Sequence, residues 1–337
     1  MKILYIAKHT PSDNEDEMAI GYAMEKLGHK VERVQDFAAT KEKVQSIKAD
    51  MCLFHNWADY PAIEAIRQNM PVVCWFFDKI SFEDEKLQGR SNWRKQWVTT
   101  IHQICDYVFL TDGDWVNQGK VEHGLLNKYR WLMQGADERK IGFGDPVKSY
   151  RYEILFTGTP RHGIDRELHV AYLQQRWGSK FTNLGSGRPE TRIHGRELAN
   201  VFAATKVIIA PEAPVSDFYW SNRVYLTLGF GGYLLHPCSK GLREHYDAEE
   251  LPMYSSRDEL DEMIERALDP EYQEERLRAS RVGLEVTKRH HLYRHRVEQL
   301  LNHVLKTPIS TEGIFNERAD SKPLLLGATL SERDQPA

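Results

Sequence analysis

The feature that most constrains this chain is a unit that recurs through its first 130 or so residues. A short apolar run stops at a polar side chain, and a segment with helical spacing follows. Ile3 to Ala7 is apolar throughout and bounded by charge. Ala19, Ala23 and Leu27 then recur at helical intervals, and Gly28 closes that helix. Val31 to Val34, Met51 to Phe54, Pro71 to Phe77 and Tyr107 to Leu110 repeat the run. Val44 with Ile47, Ile63 with Ile66, and Ile101 with Ile104 mark the helices between them. A strand that is apolar on both faces has to be covered on both faces, as in a parallel sheet with helices on either side. The expected fold class is therefore α/β, with a doubly wound parallel sheet.

In such sheets ligands sit beyond the carboxyl ends of the strands. His9, His55, Asn56, Asp78 and Asp112 stand at those exits and are expected along one edge. Among them His55, Asp78 and Asp112 are the candidate catalytic residues. No G-x-G-x-x-G follows the first strand, so the usual dinucleotide fingerprint is missing. The charged and aromatic segment Leu87 to Trp97 reads as a solvated helix face.

The same alternation resumes after Lys140 to Val147, a polar crossing with Gly142, Gly144 and Pro146. Tyr152 to Phe156 reads as a strand running into Thr157-Gly158-Thr159-Pro160-Arg161-His162-Gly163, and a helix carrying Leu168, Ala171 and Leu173 follows. Strand, glycine loop and helix can bring main-chain N–H groups to an anion, with Arg161 and Arg166 beside them. Further strands are expected at Phe181 to Leu184, Lys206 to Ala210, Tyr233 to Leu235 and Leu251 to Tyr254. Ser221, Asn222 and Arg223 open a helix that Gly229, Gly231 and Gly232 end. Ser256 and Glu259 form a capping box for the next helix. Residues 270–306 are helical and locally basic, with Gly283 as a candidate break.

At 337 residues the chain is too long for one ordinary core. The expected division is 1–145, 146–306 with the closing helix, and a loose polar tail at 307–337. A net charge of −4 gives no global attraction to nucleic acid or anionic membrane. Cys52, Cys74, Cys105 and Cys238 show no C-x-x-C pairing and are expected as buried thiols. Charge follows Met1 at once, and no run of about 18 apolar residues occurs, so neither a signal peptide nor a membrane span is expected and the location is expected to be cytoplasmic.

Trp220-Ser-Asn-Arg-Val-Tyr-Leu-Thr-Leu-Gly-Phe-Gly-Gly-Tyr-Leu-Leu235 is similar to the Ser-x-Arg-x-Phe-Glu…Gly-Gly signature of retaining, nucleotide-sugar-dependent glycosyltransferases of GT-B fold, in the group that includes the spore-maturation type. Gly241-Leu242, Tyr254 with Asp258-Glu259-Leu260, Asp269-Pro270 and the closing basic helix keep that order. The resemblance covers about residues 152–305. It implies two Rossmann-like domains facing across a cleft, and transfer of a hexosyl or pentosyl group from a nucleotide-diphosphate sugar to an acceptor hydroxyl. It implies no cofactor beyond that co-substrate. The donor site implied is Gly158, Thr159, Arg161, Arg166, Ser221, Asn222, Arg223, Gly231 and Gly232, with His55 and Asp78 facing the acceptor. The acceptor is left open among a polysaccharide, a protein and hydroxymethylated DNA. No Asp-x-Asp stands where a metal-dependent transferase would carry one, since Asp112-Gly113-Asp114 lies in the first domain, so no metal is expected. Related enzymes often carry a ribose-binding Glu where this chain has Leu226. The alternatives are a non-catalytic nucleotide- or sugar-binding protein, or a sugar-nucleotide epimerase or hydrolase on the same fold.

Overall fold

The computed structural model describes residues 1–9, 16–55, 59–80, 94–95, 97, 104–116, 129–160, 163–185, 193–212 and 215–305. Arg161, Asn56 and the tail 307–337 lie outside them.

Two parallel sheets organise these residues. The first contains β1 (Lys2–Ala7), β2 (Lys30–Gln35), β3 (Met51–Phe54), β4 (Val72–Phe76), β5 (Tyr107–Leu110) and β6 (Tyr129–Trp131), in the order β2-β1-β3-β4-β5-β6. The second contains β7 (Ile154–Thr157), β8 (Phe181–Leu184), β9 (Val207–Ile209), β10 (Leu234–Pro237) and β11 (Met253–Tyr254), in the order β11-β10-β9-β7-β8. β3 and β4 are buried along their whole length, as their unbroken apolar sequences require, while β2 at the edge is mostly part-exposed. The GT-B architecture expected from the sequence, two Rossmann-like α/β domains, is the one observed.

Each sheet has one place where the strand order reverses. β1 lies between β2 and β3, and β7 lies between β8 and β9. Connections leave such a pair in opposite directions, and a crevice opens beyond the strand ends. In the second lobe that crevice is bounded by α4 (Ile164–Trp177) after β7, and by α6 (Arg223–Gly229) after β9, with α5 (Gly195–Ala204) between them in the chain. The first lobe supplies α1 (Asp16–Lys26), α2 (Lys41–Gln45) and α3 (Tyr60–Arg67). The second continues with α7 (Lys240–His245), α8 (Arg257–Leu268) and α9 (Gln273–His290), and α10 (Tyr293–Leu305) closes the described chain.

Local signals explain the helix ends. Asp59 accepts the Ala62 N–H at 3.0 Å, with Pro61 in the first turn of α3. Ser256 Oγ accepts the Glu259 N–H at 3.1 Å, and Glu259 Oε2 accepts the Ser255 N–H at 2.6 Å, so the predicted capping box returns one residue earlier than the pattern implies. α6 ends in a paired turn: Gly231 donates to the Leu228 carbonyl and Gly232 to that of Thr227, each at 2.9 Å. Gly231 has φ 71°, and a Cβ there would lie 2.3 Å from Phe143 Cε1. The turn needs glycine for its backbone and again for its fit against the crossing.

The closing helix departs from the expected division. Tyr293, Val297, Leu300, Leu301 and Val304 of α10 are buried with Ile3, Tyr5, Trp75 and Phe109, so its apolar face completes the first lobe. The expected division groups it with residues 146–306, because periodicity reports that a helix is amphipathic and not which sheet it covers. The chain crosses between lobes twice, and the crossings touch. Ala136 N–H donates to the His291 carbonyl at 2.8 Å, and Tyr293 N–H to that of Ala136 at 3.0 Å. Gly283 does not break the helix. It lies inside α9, where a Cβ would meet the Glu250 carbonyl oxygen at 2.7 Å, and the break comes at His291-Leu292. Cys52, Cys74 and Cys105 are buried free thiols, whereas Cys238 is exposed. No helix among the described residues is long and apolar enough to cross a membrane.

Candidate functional site

A recess of ≈ 290 Å³ opens at the reversal point of the second sheet and faces the first lobe. β7 leads into it through Thr157 and Gly158, with exposed Thr159 following. Gly158 has φ 147°, and its N–H donates to the Leu184 carbonyl at 2.9 Å. A Cβ on Gly158 would come within 2.8 Å of Arg223 Nη2, so the bare backbone lets the guanidinium lie against the turn. Arg223 is the first residue of α6, and Arg166 comes from α4. Both reach into the crevice between β7 and β9.

The two arginines are fixed by main-chain carbonyls. Arg166 Nε donates to Pro211 O, and Arg223 Nε to Thr157 O, each at 2.8 Å. Beneath them lies Glu212, two residues beyond the Ala210 that follows β9. Its Oε2 is 3.5 Å from Arg166 Nη2, and its Oε1 is 3.8 Å from Arg223 Nη1 and 3.5 Å from His236 Nε2. Ser221 Oγ donates to Oε1 at 2.9 Å and accepts from Arg223 Nη1 at 3.0 Å. Burial, the largest influence on Glu212, would raise its pKa; the neighbouring His236 ring and the charges of Arg223 and Arg166 outweigh it and bring the value to about 2. Burial lowers Arg223 to about 10, which leaves the guanidinium charged at neutral pH.

The first lobe adds a charged rim at the exit of β4. Asp78, Lys79 and Arg94 all line the recess. Arg94 Nη2 pairs with Asp78 Oδ2 at 2.9 Å, and its Nη1 donates to the Lys79 carbonyl at 2.6 Å. Lys79 Nζ lies 3.3 Å from both Asp114 Oδ2 and Ser216 Oγ, and 5.3 Å above the Tyr219 ring. Ser216 Oγ also donates to Asp114 Oδ2, and Gly113 N–H donates to the Phe218 carbonyl at 2.9 Å. The loop after β5 is thereby latched to the segment that leads into α6.

The expected site residues divide. Asp78, Gly158, Thr159, Arg166, Ser221 and Arg223 meet in this recess. Asp112 does not. It is fully buried, its Oδ2 accepts the Ile80 N–H at 2.8 Å, and its Oδ1 accepts the Trp115 N–H at 3.1 Å, which makes it a loop anchor. His55 sits at the end of β3, outside the residues that line the recess. Its Nδ1 must carry the proton, because it bonds the Trp75 carbonyl at 2.7 Å, and burial lowers its pKa to about 3. Gly231 and Gly232 are at the opposite end of α6 from the recess and pack on Phe143 and Ile208. Asn222 faces away too. Its Nδ2 donates to Asp16 Oδ2 at 2.8 Å, across the lobes.

Asn222 lines a second, smaller recess of ≈ 80 Å³ on the other side of the same turn. Leu226 of α6, Phe230 just after it, Leu198 of α5 and Ile141 of the crossing make it largely apolar, with Asp16, His194 and Lys140 at its polar points. The two recesses therefore share one three-residue turn, Ser221 and Arg223 facing the charged one and Asn222 the apolar one.

Lys79, His236, Asp16 and Glu212 are absent from the site expected from the sequence, and Arg94 belongs to the segment expected as a solvated helix face. The strand-exit rule reaches both Lys79 and Glu212, since each lies just beyond a strand end.

Residues 154–302 match a protein family described as glycosyl transferase-like. No curated protein matches the chain. Among solved structures, Anabaena HepE in complex with UDP-glucose is similar at 13% identity and a TM-score of 0.57, over 91% of this chain and 99% of that one. A glycosyltransferase from Rickettsia africae is similar at 9% identity and a TM-score of 0.56, over 91% and 99%. The N-terminal domain of a Candida albicans trehalose-6-phosphate phosphatase is similar at 8% identity and a TM-score of 0.61, over 91% and 97%. At such identities the likeness is one of fold.

Proposed function

We propose that the protein is a glycosyltransferase that moves a sugar from a nucleoside-diphosphate sugar to an acceptor hydroxyl. The observation that carries the reading is the placement of two guanidiniums and a glycine turn at the reversal point of the second sheet, opposite Lys79 and Arg94 of the first lobe. When the glycosidic bond to the donor breaks, negative charge grows on the departing diphosphate, and pre-aimed cations stabilise that charge without reorganising. Arg166 and Arg223 are held in place by carbonyl oxygens before any ligand arrives. Each charge-assisted hydrogen bond to a phosphate oxygen contributes about 1.5–3 kcal/mol.

The apolar recess beside Leu226 takes the nucleoside, and the charged recess takes the diphosphate and sugar. The glycosyl transferase-like family match over the second lobe, and the UDP and UDP-glucose complexes of the similar Anabaena protein, support UDP as the first nucleotide to try. Transfer with retention is part of the proposal, the departing phosphate taking the acceptor proton. For inversion, Asp78 is the candidate base, as the first-lobe carboxylate that lines the recess. Metal independence is also proposed, because four side-chain cations already face the leaving group.

The test is a panel of nucleotide sugars screened for thermal stabilisation, then incubated with and without saccharide acceptors while free nucleoside diphosphate is measured. Donor consumption that requires an acceptor and survives EDTA is expected. Binding without consumption would make this a sugar-nucleotide-binding protein. Consumption that ignores the acceptor would make it a hydrolase or epimerase.

A further inference from the structure

The carboxylate beneath the arginines is placed in a way that diphosphate binding alone does not require. Glu212 is 4% exposed, and its approaches to Arg166 and Arg223, at 3.5 and 3.8 Å, are long for ion pairs. A guanidinium clamped by a carboxylate closes to about 2.7–2.9 Å. The short bonds of both arginines go to Pro211 O and Thr157 O, which orient a cation without cancelling its charge. Glu212 is held in turn by Ser221, whose Oγ and N–H both donate to Oε1, at 2.9 and 3.4 Å. The carboxylate thus offsets charge while its direct hydrogen bond from Arg166 Nη2 is long, at 3.5 Å, and it meets Arg223 chiefly through Ser221. Four cationic and two anionic side chains line the recess: Lys79, Arg94, Arg166 and Arg223 against Asp78 and Glu212. Lys79 is also met by Asp114 at 3.3 Å and Asp112 at 3.6 Å, and Arg94 by Asp78 at 2.9 Å, so the cationic excess lies at Arg166 and Arg223, where Glu212 offsets one of two charges.

We propose that Glu212 is a positioning residue that sets the charge count of the recess, so that the donor diphosphate is held and the departed nucleoside diphosphate is still released. The inference rests on the diphosphate reading of the recess. Two guanidiniums without their carboxylate would hold the leaving group more tightly than the donor and delay its exit.

The experiment is titration calorimetry with inorganic pyrophosphate and with UDP, on the wild type, Glu212→Gln, Arg166→Gln and the double variant. Glu212→Gln is expected to bind pyrophosphate about tenfold more tightly, with kcat and donor KM falling together as product release slows. Arg166→Gln is expected to bind it about tenfold more weakly, and the double variant to return toward the wild type. A carboxylate that only shaped the site would give the opposite sign, because neutralising it would loosen the arginines. Affinity in Glu212→Gln equal to or below that of the wild type therefore overturns the proposal. Failure of the wild type to bind either anion overturns the diphosphate reading itself, and is a separate result. Should Glu212→Gln not fold, the double variant decides: affinity above that of Arg166→Gln supports the charge count, and affinity at or below it refutes it.

Discussion

Arg223 Nε donates to the carbonyl oxygen of Thr157 at 2.8 Å, so the cation is pinned beneath the Gly158 turn by the strand that leads into it. Its Cζ also lies 5.3 Å from the Phe156 ring. Replacement by alanine removes the charge and leaves a carbonyl without its donor. Arg223→Ala is expected to weaken nucleoside-diphosphate binding by about 1.5–3 kcal/mol, roughly 10- to 100-fold. Arg223→Lys is expected to recover only part of this, because an ammonium cannot reach Thr157 O and Ser221 Oγ in one plane. Calorimetry with UDP measures both, and unchanged affinity in the alanine variant would remove Arg223 from the site.

The latch between the lobes depends on a missing side chain. A Cβ on Gly113 would lie 2.8 Å from both Phe218 Cβ and the Phe218 carbonyl oxygen. Gly113→Val is expected to push the loop after β5 off the segment before α6, withdrawing Lys79 from Ser216 and Tyr219. Turnover should fall by about tenfold or more, since small displacements of a positioned group are costly. Overpacking should lower stability by about 1–3 kcal/mol. Steady-state kinetics and small-angle scattering read the two effects; a variant with wild-type turnover and dimensions would show that the latch is dispensable.

Asp112 was expected to be a catalytic candidate and is an anchor, and the two roles separate experimentally. Asp112→Asn loses charge-assisted bonds to the Ile80 and Trp115 N–H groups, and the carboxylate 3.6 Å from Lys79 Nζ. The expected cost is about 1.5–3 kcal/mol of stability, read by urea unfolding. The shape of the pH–rate profile should not change. Loss of one limb of that profile would return Asp112 to the chemistry.

Buried imidazoles make stability depend on pH. Burial lowers His55, His245 and His295 to about 3 and His169 to about 4, with Arg296 adding to the effect at His245 and His295. Unfolded, each has a pKa of about 6.5. Between those values the unfolded chain binds more protons, so stability is complete above about pH 6.5 and falls as the pH drops through that window. Each group contributes up to about 1.4 kcal/mol per pH unit. Glu212 acts lower down, its contribution being lost between 4.5 and about 2. Urea unfolding at pH 7, 6 and 5 should show a decline that becomes shallower in His245→Gln, the other three imidazoles keeping their share. A curve flat from pH 7 to 5 would contradict the neutral buried state.

The strands were legible in the sequence because burial on both faces writes an unbroken apolar run. Met51 to Phe54 and Tyr107 to Leu110 match to the residue; Phe181 to Leu184 matches too, although Thr182 and Asn183 interrupt its apolar run and only Phe181 is buried. Arg166, Arg223 and Gly158 were also legible, since they cluster at strand ends and helix starts. Which side of a turn a residue faces is not legible, so Asn222 is grouped with Ser221 and Arg223 although it lines the apolar recess and they line the charged one. Gly231 and Gly232 carried a signal for a helix end, which they are, and no signal for distance from the cleft. Glu212 stayed unassigned because a carboxylate after a strand looks the same whether it meets solvent or sits beneath two arginines. Asp112 and His55 share that ambiguity: polar at a strand exit, and turned inward only by the packing of other elements.

The helix Tyr293–Leu305 carries a consequence for how the protein is made. Ile3, Tyr5, Trp75 and Phe109 leave the ribosome well before the side chains that cover them. Through the synthesis of the whole intervening lobe Ala19, Ile20, Ala23 and Met24 of α1 cover them only in part, and the remaining apolar face is an adhesive surface of the kind chaperones recognise. The first lobe, although its six strands are made first, completes its core only once the last described helix has been made.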